Sequence, residues 1–315
     1  MEKTGVSVII PMKNVQNTIG KIISGILQNS VGVDIQLILV DLNSTDNTLL
    51  YSLKSIHSNK ADGLVVQCGN KTFGAALNTG ISKAKNKYIT FVFPRRMYAP
   101  FIAEYYKTAQ EFNGDFIFGK FADKQEDKAI NFSTGALKGI ELFGGVLNGL
   151  VSFDIATIMV KKDFLIKNQI IFDEECVYGY AEEFIYKILL NSSNIYQSGC
   201  LMQREKSLDA ELGLPDEIGF ECFAKVQAML RILELLEYKY KDKGKLIDKF
   251  KYDKIPSTVM SCVDILLSEG YSFKNIKNVL KMNGYDEYLS AAQPMSKKLK
   301  GKIITWNLFP KIYKA

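Results

Sequence analysis

Val6-Ser7-Val8-Ile9-Ile10-Pro11 and Ile35-Gln36-Leu37-Ile38-Leu39-Val40-Asp41-Leu42-Asn43-Ser44-Thr45-Asp46 are the two stretches that decide the fold. Each begins as a run of β-branched and aliphatic residues and stops at residues able to face a ligand. Between them Ile19, Ile22, Ile23, Ile26 and Leu27 recur at i, i+3, i+4, i+7 and i+8, which predicts a helix over residues 15–29. This is a strand–helix–strand unit whose second strand, residues 34–41, ends on an acid. In open α/β sheets ligands bind at the carboxyl ends of the strands.

The same alternation continues outward. Asn43-Ser44-Thr45-Asp46 offers N-cap chemistry, and Leu49, Leu50, Leu53 and Ile56 supply the apolar face of a second helix. Residues 64–68 read as a third strand. Phe73, Leu77 and Ile81, spaced by four, mark a helix that ends near residue 85. Residues 88–93 read as a fourth strand, 100–112 as a helix and 115–119 as a fifth strand. The expected architecture is α/β, a doubly wound and mostly parallel sheet with right-handed crossovers. Residues 121–150 are polar and then glycine-rich, a loop with a short helix. Residues 151–160 are expected as a strand and 180–190 as a helix.

From Pro215 onward only helical patterns remain, with stripes at Val226, Met229, Leu230 and Leu233 and at Val259, Cys262, Val263 and Leu266. Gly244, Pro256, Gly270 and Gly284 read as the breaks between helices. The chain therefore divides into a sheet domain (1–205), an all-helical appendage (206–295) and a basic, aromatic tail (296–315).

The bulk numbers exclude several classes. An apolar content of 47% and a charged content of 23% are those of an ordinary globular chain long enough to bury a core. The five cysteines are scattered and odd in number, which favours free thiols in a reducing compartment over zinc ligands or disulfides. A single histidine, His57, leaves little room for Ser-His-Asp or multi-histidine metal chemistry. No run of residues is long and apolar enough to span a bilayer, and the N-terminus enters a strand almost at once, so a cytoplasmic location is expected. The net charge is +6, and the tail from Ser296 holds six lysines and no acid. The body is neutral without them, which argues against a nucleic-acid-binding face.

Asp41 can accept a hydrogen bond from a nucleobase N–H or can cap the helix that follows. Because Asn43 and Ser44 are also able to cap, ligand contact is favoured. Asn70, Asn78 and Gly80 lie in a segment of small residues that opens a helix, suited either to close approach of a phosphate or to tight packing on the sheet. Glu182 and Glu183 fall in a first helical turn, where acids also serve the helix dipole. Arg95 and Arg96 follow Pro94 just past the fourth strand. They can grip a diphosphate in bidentate fashion or stand in solvent. No G-x-G-x-x-G follows the first strand, which disfavours a dinucleotide-binding enzyme.

Taken together, residues 5–195 resemble a family 2 glycosyltransferase of the GT-A fold. Val40-Asp41-Leu42-Asn43-Ser44-Thr45-Asp46 is similar to the family's V-D-D-G-S-T-D stretch, with Leu42 in place of the second acid. Asn70 to Gly80 resembles its N-x-G-F-G-x-A-x-N-x-G segment. Ile171-Phe172-Asp173-Glu174 and Gly179 to Phe184 resemble its F-D-E…G-E-D-x-x-F motif. The resemblance implies an inverting transfer from a nucleotide sugar, UDP-linked by family habit, to a glycan or lipid-linked acceptor. It places Pro11, Asn14, Asp41, Asn43, Asn70 and Asn78 around the nucleotide, and Glu183, beside Glu182, as general base.

One departure matters. The family's acidic D-x-D cluster, which holds Mg²⁺ or Mn²⁺ on the diphosphate, is replaced by Phe93-Pro94-Arg95-Arg96. Either the arginines stabilise the leaving diphosphate without metal, or the chain is a non-catalytic, degenerate glycosyltransferase that serves as a nucleotide-binding or scaffolding partner of another transferase. The tail, with lysines beside Ile303, Trp306, Phe309 and Ile312, suits either docking on an anionic inner-membrane surface or packing back on the helical appendage.

Overall fold

The computed structural model describes residues 3–69, 71–94, 100–122, 135–203, 218–309 and 313. They form two compact units, one comprising residues 1–175 and 184–213, the other 176–183 and 214–315.

The first unit is built on a seven-stranded sheet. In chain order its elements are β1 (Lys3–Met12), α1 (Ile19–Gln28), β2 (Ile35–Asp41), α2 (Thr48–Ser58), β3 (Asp62–Gln67), α3 (Phe73–Lys83), β4 (Asn86–Phe91), α4 (Ile102–Phe112), β5 (Phe116–Ala122), α5 (Gly139–Leu147), β6 (Ile158–Lys161), α6 (Lys162–Lys167), α7 (Tyr180–Leu189) and β7 (Ile195–Gln203). The strands lie in the order β3-β2-β1-β4-β6-β5-β7. All neighbours pair in parallel except β6, which runs antiparallel to both β4 and β5.

Every residue of β2 is buried, because both faces of the sheet are covered. On one face Val6, Val8 and Ile10 of β1 join Ile19, Ile23 and Ile26 of α1 and Ile102, Tyr105 and Ala109 of α4 in a single core cluster. On the other, α3 comes so close that a Cβ added to Gly80 would sit 2.3 Å from Ile9 Cγ2. Glycine at this position is a packing requirement. A buried polar network marks the opposite end of the sheet. The Ser7 hydroxyl donates to Gln36 Oε1 (2.7 Å), and the Lys85 N–H donates to the same oxygen (2.8 Å).

Several sequence-based expectations need correction. Leu50 and Leu53 are 60% and 56% exposed, and α2 instead buries Thr48 and Ser52. The expected strand over 151–160 shrinks to Ile158–Lys161, preceded by a 3-10 turn at Ile155–Thr157 that the Asp154 side chain caps. β7 and α6 were not anticipated.

The second unit contains α8 (Ala224–Lys239), α9 (Gly244–Lys249), α10 (Ile255–Ser268), α11 (Phe273–Met282) and α12 (Lys297–Leu308). Pro256 does not break a helix. A π-helical turn at Phe250–Lys254 joins α9 to α10, the Ile255 N–H donates to Phe250 O, and Pro256 stands in the first turn of α10. The imino nitrogen has no hydrogen to place in an α-helical ladder at that point.

The tail packs inward. Ile303 and Trp306 are buried in the cluster formed by Val259, Val263 and Leu266, and the Trp306 ring stacks on Phe273 with centroids 4.0 Å apart. Asp264 receives both the Lys302 ammonium and, at 2.6 Å, the Tyr313 hydroxyl. Burial, with the Asp264 carboxylate beside it, pushes the Tyr313 phenol well above its ordinary range. Lys297, Lys298 and Lys300 remain exposed, as does Phe309, while Ile312 lies outside the described residues.

Candidate functional site

The carboxyl ends of β1 and β2 lie side by side, with Met12 paired to Asp41. Asn14 (φ 51°) and Asn43 (φ 60°) turn the two chains out of the sheet through left-handed backbone, a conformation asparagine tolerates better than most residues. The two loops are then zipped together. The Asn14 N–H donates to Ser44 Oγ (3.0 Å), and the Thr45 N–H donates to Asn14 Oδ1 (2.8 Å). The Gln16 N–H donates to Asp46 Oδ2 (3.2 Å), and the Asn47 N–H donates to Gln16 Oε1 (3.1 Å).

Asp41 is 1% exposed. Its Oδ1 accepts from the Ser44 hydroxyl (2.5 Å) and its Oδ2 from the Ser44 N–H (3.1 Å). Asp41 thus shapes its own loop rather than capping α2. The helix start is held by Asp46, whose Oδ1 accepts from the Thr48 N–H (2.9 Å) and hydroxyl (2.5 Å). Burial pushes the Asp46 carboxyl up, but the bonds from Thr48 and Gln16 outweigh it and hold the group below the ordinary aspartate value. Pro11 is buried beneath this loop pair, while Asn14 and Asn43 are exposed on it.

The helix start at α3 is occupied by protein. Thr72 caps it by accepting from the Ala75 N–H (3.2 Å) and donates to Glu174 O (2.5 Å). Asn78 donates to Phe172 O (2.9 Å) and accepts from the Phe172 N–H (3.0 Å). A Cβ on Gly74 would meet Asp173 O at 2.7 Å. Asn78 therefore clips the segment at residues 172–174 to α3. Asn70, Arg95 and Arg96 lie outside the described residues. Immediately before the arginines, Phe93 and Pro94 are buried, and the Val92 N–H donates to Ile9 O (3.0 Å) at the tip of β4.

The acids of α7 are positioned by aromatic packing and by cations. Phe184 stacks on Phe172 (centroids 3.9 Å, planes 8° apart), and Phe91 of β4 meets both rings edge-on. One residue earlier, Glu183 is 1% exposed and belongs to the second unit. Its Oε1 accepts from Arg231 Nε (2.9 Å) and its Oε2 from Arg231 Nη2 (2.8 Å). Lys254 Nζ donates to Glu182 Oε1 at 2.6 Å. Neither cation was singled out in the sequence, since partners 48 and 72 residues away leave no local signal. Among the described residues no three carboxylates, cysteines or histidines converge as a metal site.

Residues 7–92 match the model of glycosyl transferase family 2. No curated protein sequence matches the chain. Among solved structures, S. aureus TarS 1–349 in complex with UDP-GlcNAc is similar with a TM-score of 0.65 at 15% identity, over 96% of this chain and 87% of that one. Glucosyl-3-phosphoglycerate synthase from Mycobacterium tuberculosis in complex with UDP is similar with a TM-score of 0.50 at 17% identity, over 73% of this chain and 80% of that one. The shared architecture shows that the chain has the fold of these structures, and the family match at residues 7–92 spans the two zipped loops and β4.

Proposed function

We propose that the chain transfers the sugar of a UDP-sugar, with inversion, to a glycan or lipid-linked acceptor, and does so without a divalent metal. Pro11, Asn14, Asp41 and Asn43 form the nucleotide end of the site, with Asp41 against the base, and Asn70 and Asn78 border it. The observation that carries the metal-free reading is the composition of the β4 tip. Phe93-Pro94-Arg95-Arg96 offers no side-chain oxygen ligand, and Phe93 and Pro94 are buried. A hard divalent cation needs oxygen ligands and is repelled by guanidinium groups. Arg95 and Arg96 supply fixed positive charge to the departing diphosphate instead. A carboxylate from the Glu182–Glu183 pair takes the acceptor's proton. The structures of similar fold that hold UDP or UDP-GlcNAc support the choice of donor.

No helix among the described residues is long and apolar enough to cross a membrane. A lipid-borne acceptor is met at an anionic surface on the cytoplasmic side through the exposed Lys297, Lys298 and Lys300.

The test is a thermal-shift panel of nucleoside diphosphates and nucleotide sugars, each with and without Mn²⁺. Uridine nucleotides are expected to raise Tm equally in both series, by the shift that about 2.7 kcal/mol of linkage gives at a ligand concentration near 100 Kd. A shift that needs Mn²⁺ overturns the metal-free reading. No shift with any nucleotide overturns the donor reading and favours a non-catalytic partner role.

A further inference from the structure

The two edges of the sheet differ. At β7, Leu137 forms an antiparallel bridge to Ile195. At the other edge, β3 pairs with β2 in an unbroken parallel register and, among the described residues, with no strand on its far side. The Cys68 N–H, just past β3, donates to Asp41 O of β2. Backbone groups alternate along a strand, so Leu64 and Val66 also face β2, while Gly63, Val65 and Gln67 direct their N–H and C=O groups outward. A free edge is a template for another strand, and natural sheets blunt it with lysine, proline or a bulge. β3 has none of these, and its single charge, Asp62, stands at its end.

α2 overhangs that edge. Its Ile56 faces the sheet, 3.1 Å from where a Cβ on Gly63 would lie, and its Ser55 faces α1, 3.2 Å from where a Cβ on Gly20 would lie. At about 100° per residue, the side of the helix turned away from α1 carries Leu50, Leu53 and His57. The strand order β3-β2-β1 puts α1 toward the middle of the sheet, so this side looks past β3. Leu50 and Leu53 are 60% and 56% exposed on it. A strand advances about 3.3 Å per residue and a helix about 1.5 Å. The step from Gly63 to Val65 thus spans about four residues of α2, which runs back along β3, and leads from the level of Ile56 to that of Tyr51 and Ser52. That level lies midway between Leu50 and Leu53.

We propose that β3 and α2 form a self-association surface, on which a second copy of this chain lays its own β3 antiparallel to the first about a two-fold axis through Val65. The edge is complementary to itself in that register. Gly63 pairs with the partner's Gln67 and Val65 with the partner's Val65, so every outward N–H and C=O group of the strand finds an acceptor or a donor. The axis stands perpendicular to the sheet, so both α2 helices lie on one face of the joined sheet. Because the axis passes between Leu50 and Leu53, each Leu50 meets the partner's Leu53. The two Asp62 carboxylates are kept about 20 Å apart, beyond the screening length of physiological salt. A strand from an unrelated protein would satisfy the edge but not the paired leucines, and this match is what selects a second copy. The six-residue edge and the two leucines cover on the order of 1,000 Å² over both copies, the lower bound for a specific interface, which sets a Kd on the order of 10–100 µM. Each copy is already a folded sheet, so changes at Leu50 or Leu53 act on association and leave the melting temperature of the dilute chain nearly unchanged.

The test is sedimentation equilibrium of the full chain from about 1 to about 300 µM, with the melting temperature of each variant read at the dilute end. The wild type is expected to pass from monomer to dimer in that range. Leu50→Lys and Leu53→Glu each weaken the dimer at least about tenfold, and an equimolar mixture of the two variants restores it. In the mixed dimer one leucine pair is intact and the other is replaced by opposite charges. Gln67→Pro removes an outward N–H that no bond within the sheet uses and weakens the dimer by a similar factor. If Gln67→Pro lowers the dilute melting temperature, the leucine series decides alone.

A wild type that stays monomeric at about 300 µM overturns the proposal, and is also the result if the edge receives the strand of a different protein. A dimer that persists unchanged in Leu50→Lys and Leu53→Glu lies on another surface and overturns it as well. Single variants that dissociate and a mixture that stays monomeric overturn the two-fold register about Val65.

Discussion

The β1–β2 loop pair and the start of α7 both carry buried carboxylates, and they satisfy them in opposite ways. At the sheet edge, Asp41 and Asp46 are held by neutral donors, the Ser44 and Thr48 hydroxyls and the N–H groups of Gln16, Ser44 and Thr48. These donors lie within three residues or in the adjoining loop. At α7 the donors are the charged groups of Arg231 and Lys254, far away in sequence. Neutral donors shape a loop and leave its negative charge in place. Charged donors cancel the negative charge and tie one segment of chain to another. The first arrangement is a local clasp; the second is a brace whose strength depends on long-range packing.

Three measurements break or sharpen this contrast. The largest effect is expected where α7 is anchored by packing. Phe184→Ala empties the space between Phe91 and Phe172 and should cost about 3–5 kcal/mol in denaturant unfolding followed by circular dichroism. A loss below about 1 kcal/mol would show that α7 does not depend on that aromatic stack.

A smaller effect is expected at the loop pair. Asp46→Ala removes the acceptor that starts α2 and should cost about 1 kcal/mol. Because the native pKa of Asp46 is held below its ordinary value of 3.8, this stabilisation is fully present above that pH and is lost as pH falls through the lower native value. The difference in melting temperature between wild type and variant should therefore be constant near neutrality and fade on acidification below the ordinary value. A difference that grows on acidification contradicts the hydrogen-bond account.

The smallest effect is expected on the outer face of α2. Leu53→Ser should change stability by less than about 0.5 kcal/mol, since the side chain is 56% exposed. A larger loss in a concentration-dependent melt would show that this face is covered by another molecule.

Strands β1 to β5 were legible because central strands such as β1 and β2, buried on both faces, read as unbroken apolar runs, and most of the helices between them show their period. Legibility failed where polar and apolar atoms exchange their usual places. Thr48 and Ser52 face inward from α2 because Thr48 is hydrogen-bonded to Val15 N–H (2.7 Å) and Ser52 to Thr48 O (2.7 Å), so the leucines beside them turn outward. β7 was missed because Ser198 and Gly199 interrupt its apolar pattern near the register shift opposite Phe118 and Lys120. Asp41, Asn14 and the α7 acids stand out in the sequence by motif and position. Ser44 and Asp46 as loop clasps, and Arg231 and Lys254 as partners, do not. Their roles arise from contacts between segments that no local spacing encodes.

The π-helical turn at Phe250–Lys254 has one last consequence. It holds one residue more than α-helical hydrogen bonding would enclose, so the side chains before and after it are out of phase by about 100°. That offset lets a single continuous rod serve two masters. Downstream, Ile255, Val259, Cys262 and Leu266 keep an uninterrupted apolar seam. At the offset itself, Lys254 is freed from that seam's rotation and can present its ammonium in another direction. A one-codon deletion there would leave the rod just as helical, yet force the seam and the cation to compete for the same side.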